Sequence, residues 1–196
     1  MPDRTTRGLL APERQRLLMA PNVQLYGPIG DASVRDVLQQ IHGVLKGEAP
    51  LVFEMTTEGG DAEGGRRIAL EIRLARDWHG RDTVFLGKTV VMSAGVTVMA
   101  AFPRADRYLT DDTVLLIHER RIQRSLAIDG PMRADLQIAR EMVAQLESAQ
   151  RTEREGFAEL AEGSAITAEE LTRRATTNCY LTAAEAFDLG LVAAVV

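Results

Sequence analysis

Apolar and polar positions alternate along the chain in two rhythms, a short continuous one and a helical one. The run NVQLYG at 22–27 reads as a strand, and Asp31 is placed to cap a helix in which Val34, Val37, Leu38, Ile41 and Leu45 recur at helical spacing. LVFEM at 51–55 predicts a short buried strand, followed by the Gly-rich turn TTEGGDAEGG and a helix with Ile68, Ile72 and Ala75 on one face. TVFLG at 83–87 predicts a third strand, with a helix starting near Ser93. Residues 107–110 and 114–117 read as two more strands, and 132–162 as a long helix with Leu136, Ala139, Val143, Leu146 and Ala149 in phase. Beyond it the pattern is helical with short loops. Thr167 with Glu170, and Thr182 with Glu185, match the capping box that starts helices by reciprocal bonds to free N–H groups. Strands alternating with helices predict an α/β fold with a largely parallel sheet. Residues 1–21 read as an N-terminal arm and 22–196 as a single domain. Leu9, Leu10, Leu17 and Leu18 of the arm are expected to pack on the subunit edge.

Composition narrows the function classes. With 45% hydrophobic residues, 26% charged and a mean hydropathy of −0.09, the 196-residue chain can bury a sizeable core. Its 23 Lys and Arg against 28 Asp and Glu give a net charge of −5, without the cationic surplus that releases counterions from nucleic acid. The single cysteine, Cys179, excludes an internal disulfide and a thiolate zinc site, and reads as a small buried hydrophobe. The apolar stretch around 90–102 is interrupted by Ser93, Gly95 and Thr97 and is too short to span a bilayer. No membrane partner, no cofactor and a cytoplasmic address are the expectations. His42 and His79 lack a second ligand at metal spacing, so no metal is expected and both read as structural.

Three places combine tight backbone with reactive side chains: Gly59-Gly60 after a strand, Ser93 at a strand-to-helix turn, and His118 closing the strand VLLIH. Together they point to acyl transfer. A serine hydroxyl needs a base to take its proton, and backbone N–H groups at a helix start or glycine turn can hold the oxyanion that develops. Ala94 and Gly95 after Ser93, and Gly60, let the backbone approach a carbonyl.

The blocks MTTEGGDAEGG, VVMSAGVTVMA, VLLIHE and NCYLTAAEAFDLGLV, with 25 residues from Ser93 to His118, resemble the Clp protease proteolytic subunit across roughly 22–196. The resemblance implies a ClpP/crotonase-like ββα superhelix with a protruding handle helix at about 132–162. By position Ser93 matches the nucleophile, His118 the general base, and Gly60 and Ala94 the oxyanion-hole donors. Gly59, Gly60, Asp61 and Ala62 match the strand that pairs with an extended peptide. Asn178 stands where the family has its triad aspartate; its amide oxygen can accept from the histidine but carries no charge. The resemblance further implies a peptide or unfolded-protein substrate and a homo-oligomer of heptameric rings. A separate ATP-dependent unfoldase would complete the system, since no glycine-rich phosphate-binding loop in this chain supplies that power.

Departures from the family open two alternatives. After the histidine the chain reads ERRIQRSLAIDGPM, with Arg120, Arg121 and Arg124 where the family has a proline and a Gly-rich strand. This change and Asn178 fit a weak or inactive subunit that scaffolds an assembly. A crotonase-like enzyme acting on acyl thioesters is the other reading. Glu119, Asp129 and Asp112 are the acids nearest His118 in sequence, and Glu119 should diverge to the opposite face of the strand. The acids Glu54, Glu58, Asp61 and Glu63 around the glycine turn read as a solvated loop that can also bias the cleft toward basic peptides.

Overall fold

The computed structural model describes residues 10–121, 125 and 129–196. A short helix α1 (Pro12–Leu18) precedes strand β1 (Val23–Tyr26), helix α2 (Asp31–Leu45), strand β2 (Leu51–Thr57) and helix α3 (Ala62–Asp77). Strand β3 (Thr83–Met92) then leads into helix α4 (Ala94–Ala100), and strands β4 (Arg107–Leu109) and β5 (Val114–Ile117) follow. The long helix α5 (Met132–Ala161) comes next, then α6 (Ala168–Ala175), β6 (Cys179–Thr182), α7 (Ala183–Asp188) and β7 (Ala194–Val195). The seven strands of the described residues form one sheet, with β1-β2-β3-β4-β7 parallel and β5 joining β3 in parallel and β6 in antiparallel sense.

Strand β3 governs the architecture. Its first half, Phe85–Gly87, pairs with β4, whereas Val90–Met92 pair with β5. Between them Thr89 takes φ 59°, and the register against β2 slips between Met55 and Thr57. One strand thus serves two partners by bending at a bulge. The strand is longer than its apolar run TVFLG predicts, because Lys88 and Thr89 occupy the bend. Gly87-Lys88-Thr89, which spells the end of a phosphate-binding signature, is therefore strand, and Asp82 stands where that signature needs its first glycine.

The main core lies between the sheet and helices α2 to α7, with Phe102 packed edge-on to Phe53 at 5.9 Å and tilted against Phe85 at 5.4 Å. On the other sheet face, Leu18 and Leu10 of the arm pack with Val84, Leu86, Tyr108 and Ala194. Arg14 of α1 pairs with Asp106 at 2.9 Å and lies over the Tyr108 ring. Leu17 is only partly covered, and Leu9 lies outside the described residues.

The caps differ in detail from the sequence expectation. Gly30 rather than Asp31 is the N-cap of α2, and Ser33 supplies the side chain, its Oγ accepting from the Gly30 N–H at 2.9 Å. Thr182 and Glu185 form the full box at α7. At α6, Thr167 accepts from Glu170 N, while the Glu170 carboxylate turns to Arg173 and Arg174. The segment after α5 is not helical throughout: it contributes β6 and β7 to the sheet.

Candidate active site

Ser93 sits where β3 hands over to α4, at φ 55° and ψ −117°, a conformation that costs a non-glycine residue of order 1–3 kcal/mol. Two bonds impose it: Ser93 N–H donates to Leu116 O of β5 at 2.8 Å, and Ser93 O accepts from Val96 N at 2.9 Å. Such a strand-to-helix turn lifts its side chain clear of the sheet. Directly beneath lies Gly59, at φ 98°, where a Cβ would stand 2.7 Å from Ser93 Cβ. The glycine is required by both its backbone and its space.

Gly60 forms an isolated bridge to Ile29, with Ile29 N–H donating to Gly59 O and Asp61 N–H to Ile29 O, both at 2.8 Å. Those bonds use Gly60's neighbours, so the Gly60 N–H faces away from Ile29. Ala94 opens α4, and its N–H has no acceptor within the helix. Asp61 accepts from Glu63 N and Gly64 N as the α3 N-cap, and Ala62 is the first residue of that helix. Residues 59–62 thus run from the single bridge at Gly60 into the start of α3.

His118 directly follows β5. Continuing the antiparallel register from Ile117 opposite Cys179 brings Asn178 across from His118. Asn178 closes the turn after α6 at φ 62°, its N–H donating to Ala175 O at 3.2 Å, a left-handed position that Asn tolerates better than most residues. The His118 Nδ1 lies 2.6 Å from the carbonyl oxygen of Glu119. Among the described residues no hydrogen bond joins His118 to Ser93 or to Asn178.

Ser93, Ala94, His118 and Gly60 open onto one cleft of about 700 Å3, whose far wall is α5 from Gln145 to Leu160. Asp61, Ala62, Glu119, Arg120 and Arg121 also line it, whereas Gly59 and Asn178 do not. Arg120 ties the segment after His118 to both walls: its guanidinium pairs with Glu63 of α3, and its backbone N–H donates to the Glu153 carboxylate of α5. Arg73 pairs with Glu159 across the same two helices at 2.7 Å. Glu153 escaped the sequence reading because it lies in the charged run RTERE of a solvated helix, far along the chain from His118.

The remaining singled-out residues are occupied elsewhere. His42 pairs with Glu71 at 2.9 Å, His79 is exposed at the end of α3, and Glu54 pairs with Lys88. Cys179 is buried, which pushes its thiol up and keeps it protonated. Arg124 lies outside the described residues. Arg107, 3% exposed, was missed by sequence; it donates to the carbonyls of Ala100, Phe102, Leu160 and Leu191. It thereby ties off the C-terminal ends of α4 and α5, where carbonyls lack helical partners. Burial pushes its guanidinium down to about 10, which leaves it charged at neutral pH.

The family model described as Clp protease matches residues 10–196. The chain belongs to the Clp protease family. The ATP-dependent Clp protease proteolytic subunit 2 of Pseudomonas aeruginosa is 27% identical over 176 residues, covering 89% of this chain and 80% of that protein. The solved structure of an asparagine-to-aspartate mutant of ClpP1 from Listeria monocytogenes superposes with a TM-score of 0.70 at 21% identity, covering 92% of this chain and 93% of that one. The Clp family member described here thus carries the ClpP-like fold, with the mixed α/β, largely parallel sheet anticipated from sequence. Among the described residues no helix is long and apolar enough to cross a membrane.

Proposed function

We propose that the chain is a serine endopeptidase in which Ser93 is the nucleophile, His118 the base, and the N–H groups of Gly60 and Ala94 the oxyanion donors. The observation that carries this reading is the strained turn at Ser93, which presents the hydroxyl to the same cleft as His118. His118 Nε2 takes the Oγ proton as Oγ bonds the scissile carbonyl carbon. The negative charge on the former carbonyl oxygen falls between the two backbone donors. Collapse breaks the C–N bond, and the proton passes from His118 to the leaving amine. Water, deprotonated by the same ring, then frees the acyl group. Asn178 stands at the third position, opposite His118, and can offer an amide oxygen but no charge. Gly59, Gly60, Asp61 and Ala62 form the edge along which a peptide would lie.

By the same reading the substrate is a peptide or unfolded protein, reached inside a cytoplasmic homo-oligomeric chamber of heptameric rings and delivered by a separate ATP-dependent unfoldase. The name of the Pseudomonas relative, an ATP-dependent Clp protease subunit, supports that partnership. The test is intact-mass spectrometry after exposure to a fluorophosphonate, with Ser93→Ala as control. A stoichiometric adduct mapping to Ser93 and absent from the variant is expected; no adduct on the assembled protein would reject the reading. A second reading, an inactive subunit with a scaffold role, is favoured by the missing hydrogen bond between Ser93 and His118. It would then be preferred, although catalytic hydrogen bonds are often long before substrate binds.

A further inference from the structure

A serine–histidine pair works only if the ring carries its resting proton on the nitrogen that faces away from the serine. The family assigns that task to an aspartate, which this chain lacks at Asn178. The structure shows what the ring engages instead. His118 Nδ1 is 2.6 Å from the Glu119 carbonyl oxygen, and a carbonyl can only accept, so the ring must hold a proton on Nδ1. Nε2 is then left with its lone pair.

The Glu119 carbonyl belongs to the same peptide unit as the Arg120 N–H, and that N–H donates to the carboxylate of Glu153 on α5. A carboxylate accepting from one end of a peptide unit polarises it and makes the oxygen at the other end a stronger acceptor. The Arg120 guanidinium, paired with Glu63 at the start of α3, holds the same unit from the opposite wall. The chain of contacts runs from Glu153 through the 119–120 peptide to His118 Nδ1.

We infer that Glu153 is the positioning residue for His118, acting through the Glu119–Arg120 peptide, and that it takes the orienting role that Asn178, making no bond to the ring among the described residues, leaves open. The inference rests on the Ser93–His118 reading above for its catalytic meaning, but the hydrogen-bond chain exists independently of it. Glu153 touches neither substrate nor nucleophile in this scheme; it fixes the tautomer and leaves Nε2 free to accept the Ser93 proton.

The experiment uses the full chain in its native assembly and two readouts. The first is the second-order rate of fluorophosphonate labelling at Ser93 for the parent, Glu153→Ala, Glu153→Gln and Asn178→Ala. Glu153→Ala should label at least about tenfold more slowly, a fraction of the 10²–10⁴-fold that a general base contributes, since the base itself remains. Glu153→Gln, whose amide oxygen can still accept from the Arg120 N–H, should fall between it and the parent. Asn178→Ala should lose less than Glu153→Ala does, because among the described residues its amide makes no bond to the ring. The second readout is the His118 tautomer from 15N shifts of the labelled imidazole rings, of which the chain has three, His42, His79 and His118. Nδ1–H is expected in the parent and in Glu153→Gln, with Nε2–H gaining in Glu153→Ala.

Equal labelling rates and an unchanged tautomer in Glu153→Ala would overturn the inference, as would a loss confined to Asn178→Ala. If the parent does not label at all, the peptidase reading fails. The tautomer readout still decides the inference in that case, since it requires no activity.

Discussion

Glu71 sits on α3 between Arg67 and His42, with Arg67 Nη1 at 2.5 Å and His42 Nε2, reaching across from α2, at 2.9 Å. Burial by itself would push its carboxyl up, but the hydrogen bonds from Arg67 and His42 outweigh that and hold it below the ordinary carboxylate value. A carboxylate lowered in the folded state stabilises fully above its unfolded pKa and loses that contribution as pH falls through the folded one. Glu71→Gln should therefore lower Tm at neutral pH, and the gap to the parent should close as the pH is taken below about 4. Thermal melts of both proteins from pH 7 to 3 measure it, and a constant gap would contradict the assignment. Individual side chains were unevenly legible in the sequence. Ser93 and His118 announced themselves by residue type, spacing and the small residues around them. Arg107 and Glu153 did not, because their partners are backbone groups supplied by distant segments, and no side-chain pattern encodes those.

Elements were legible where burial alone sets the pattern. The long helices and the strands β1, β2 and β5 follow their apolar periodicity, and the third strand was foreseen except for its extension past Gly87. The extension is hidden because a bend carries polar residues into the strand. Thr89 pays for that bend with φ 59°, a conformation that costs a side-chain-bearing residue roughly 1–2 kcal/mol. Its hydroxyl meets Asp112 only at 3.5 Å, too long to compensate. Thr89→Gly should thus raise stability by about 1 kcal/mol in urea denaturation while leaving labelling at Ser93 intact. A loss of stability would show that the Thr89 side chain supports the bend in some other way. Strands β6 and β7 were missed for a different reason. β6 spans Cys179–Thr182 with inner and outer positions alternating, and β7 has two residues; both are too short to stand out beside the capping box of α7.

At the scale of the molecule, one sheet carries a large core on one face and a small cluster on the other. The small cluster depends on the arm, whose Leu18 is buried against Val84, Leu86, Tyr108 and Ala194. Leu18→Ala should cost about 2–5 kcal/mol, the range for a buried leucine, yet spare the rate of adduct formation, since the site lies off the opposite end of β3. Equilibrium unfolding paired with fluorophosphonate labelling checks both halves, and an equal fall in the two would mean that the arm reaches the site. The turn at Ser93 has the contrary character. There the backbone conformation suits a glycine better than a serine, so the chain would fold more comfortably with its proposed nucleophile erased. Breeding this protein for heat resistance alone would therefore steer it toward silence, because the substitution that most relaxes the turn also removes the hydroxyl. Any directed-evolution campaign on it has to score turnover in the same round as thermal tolerance.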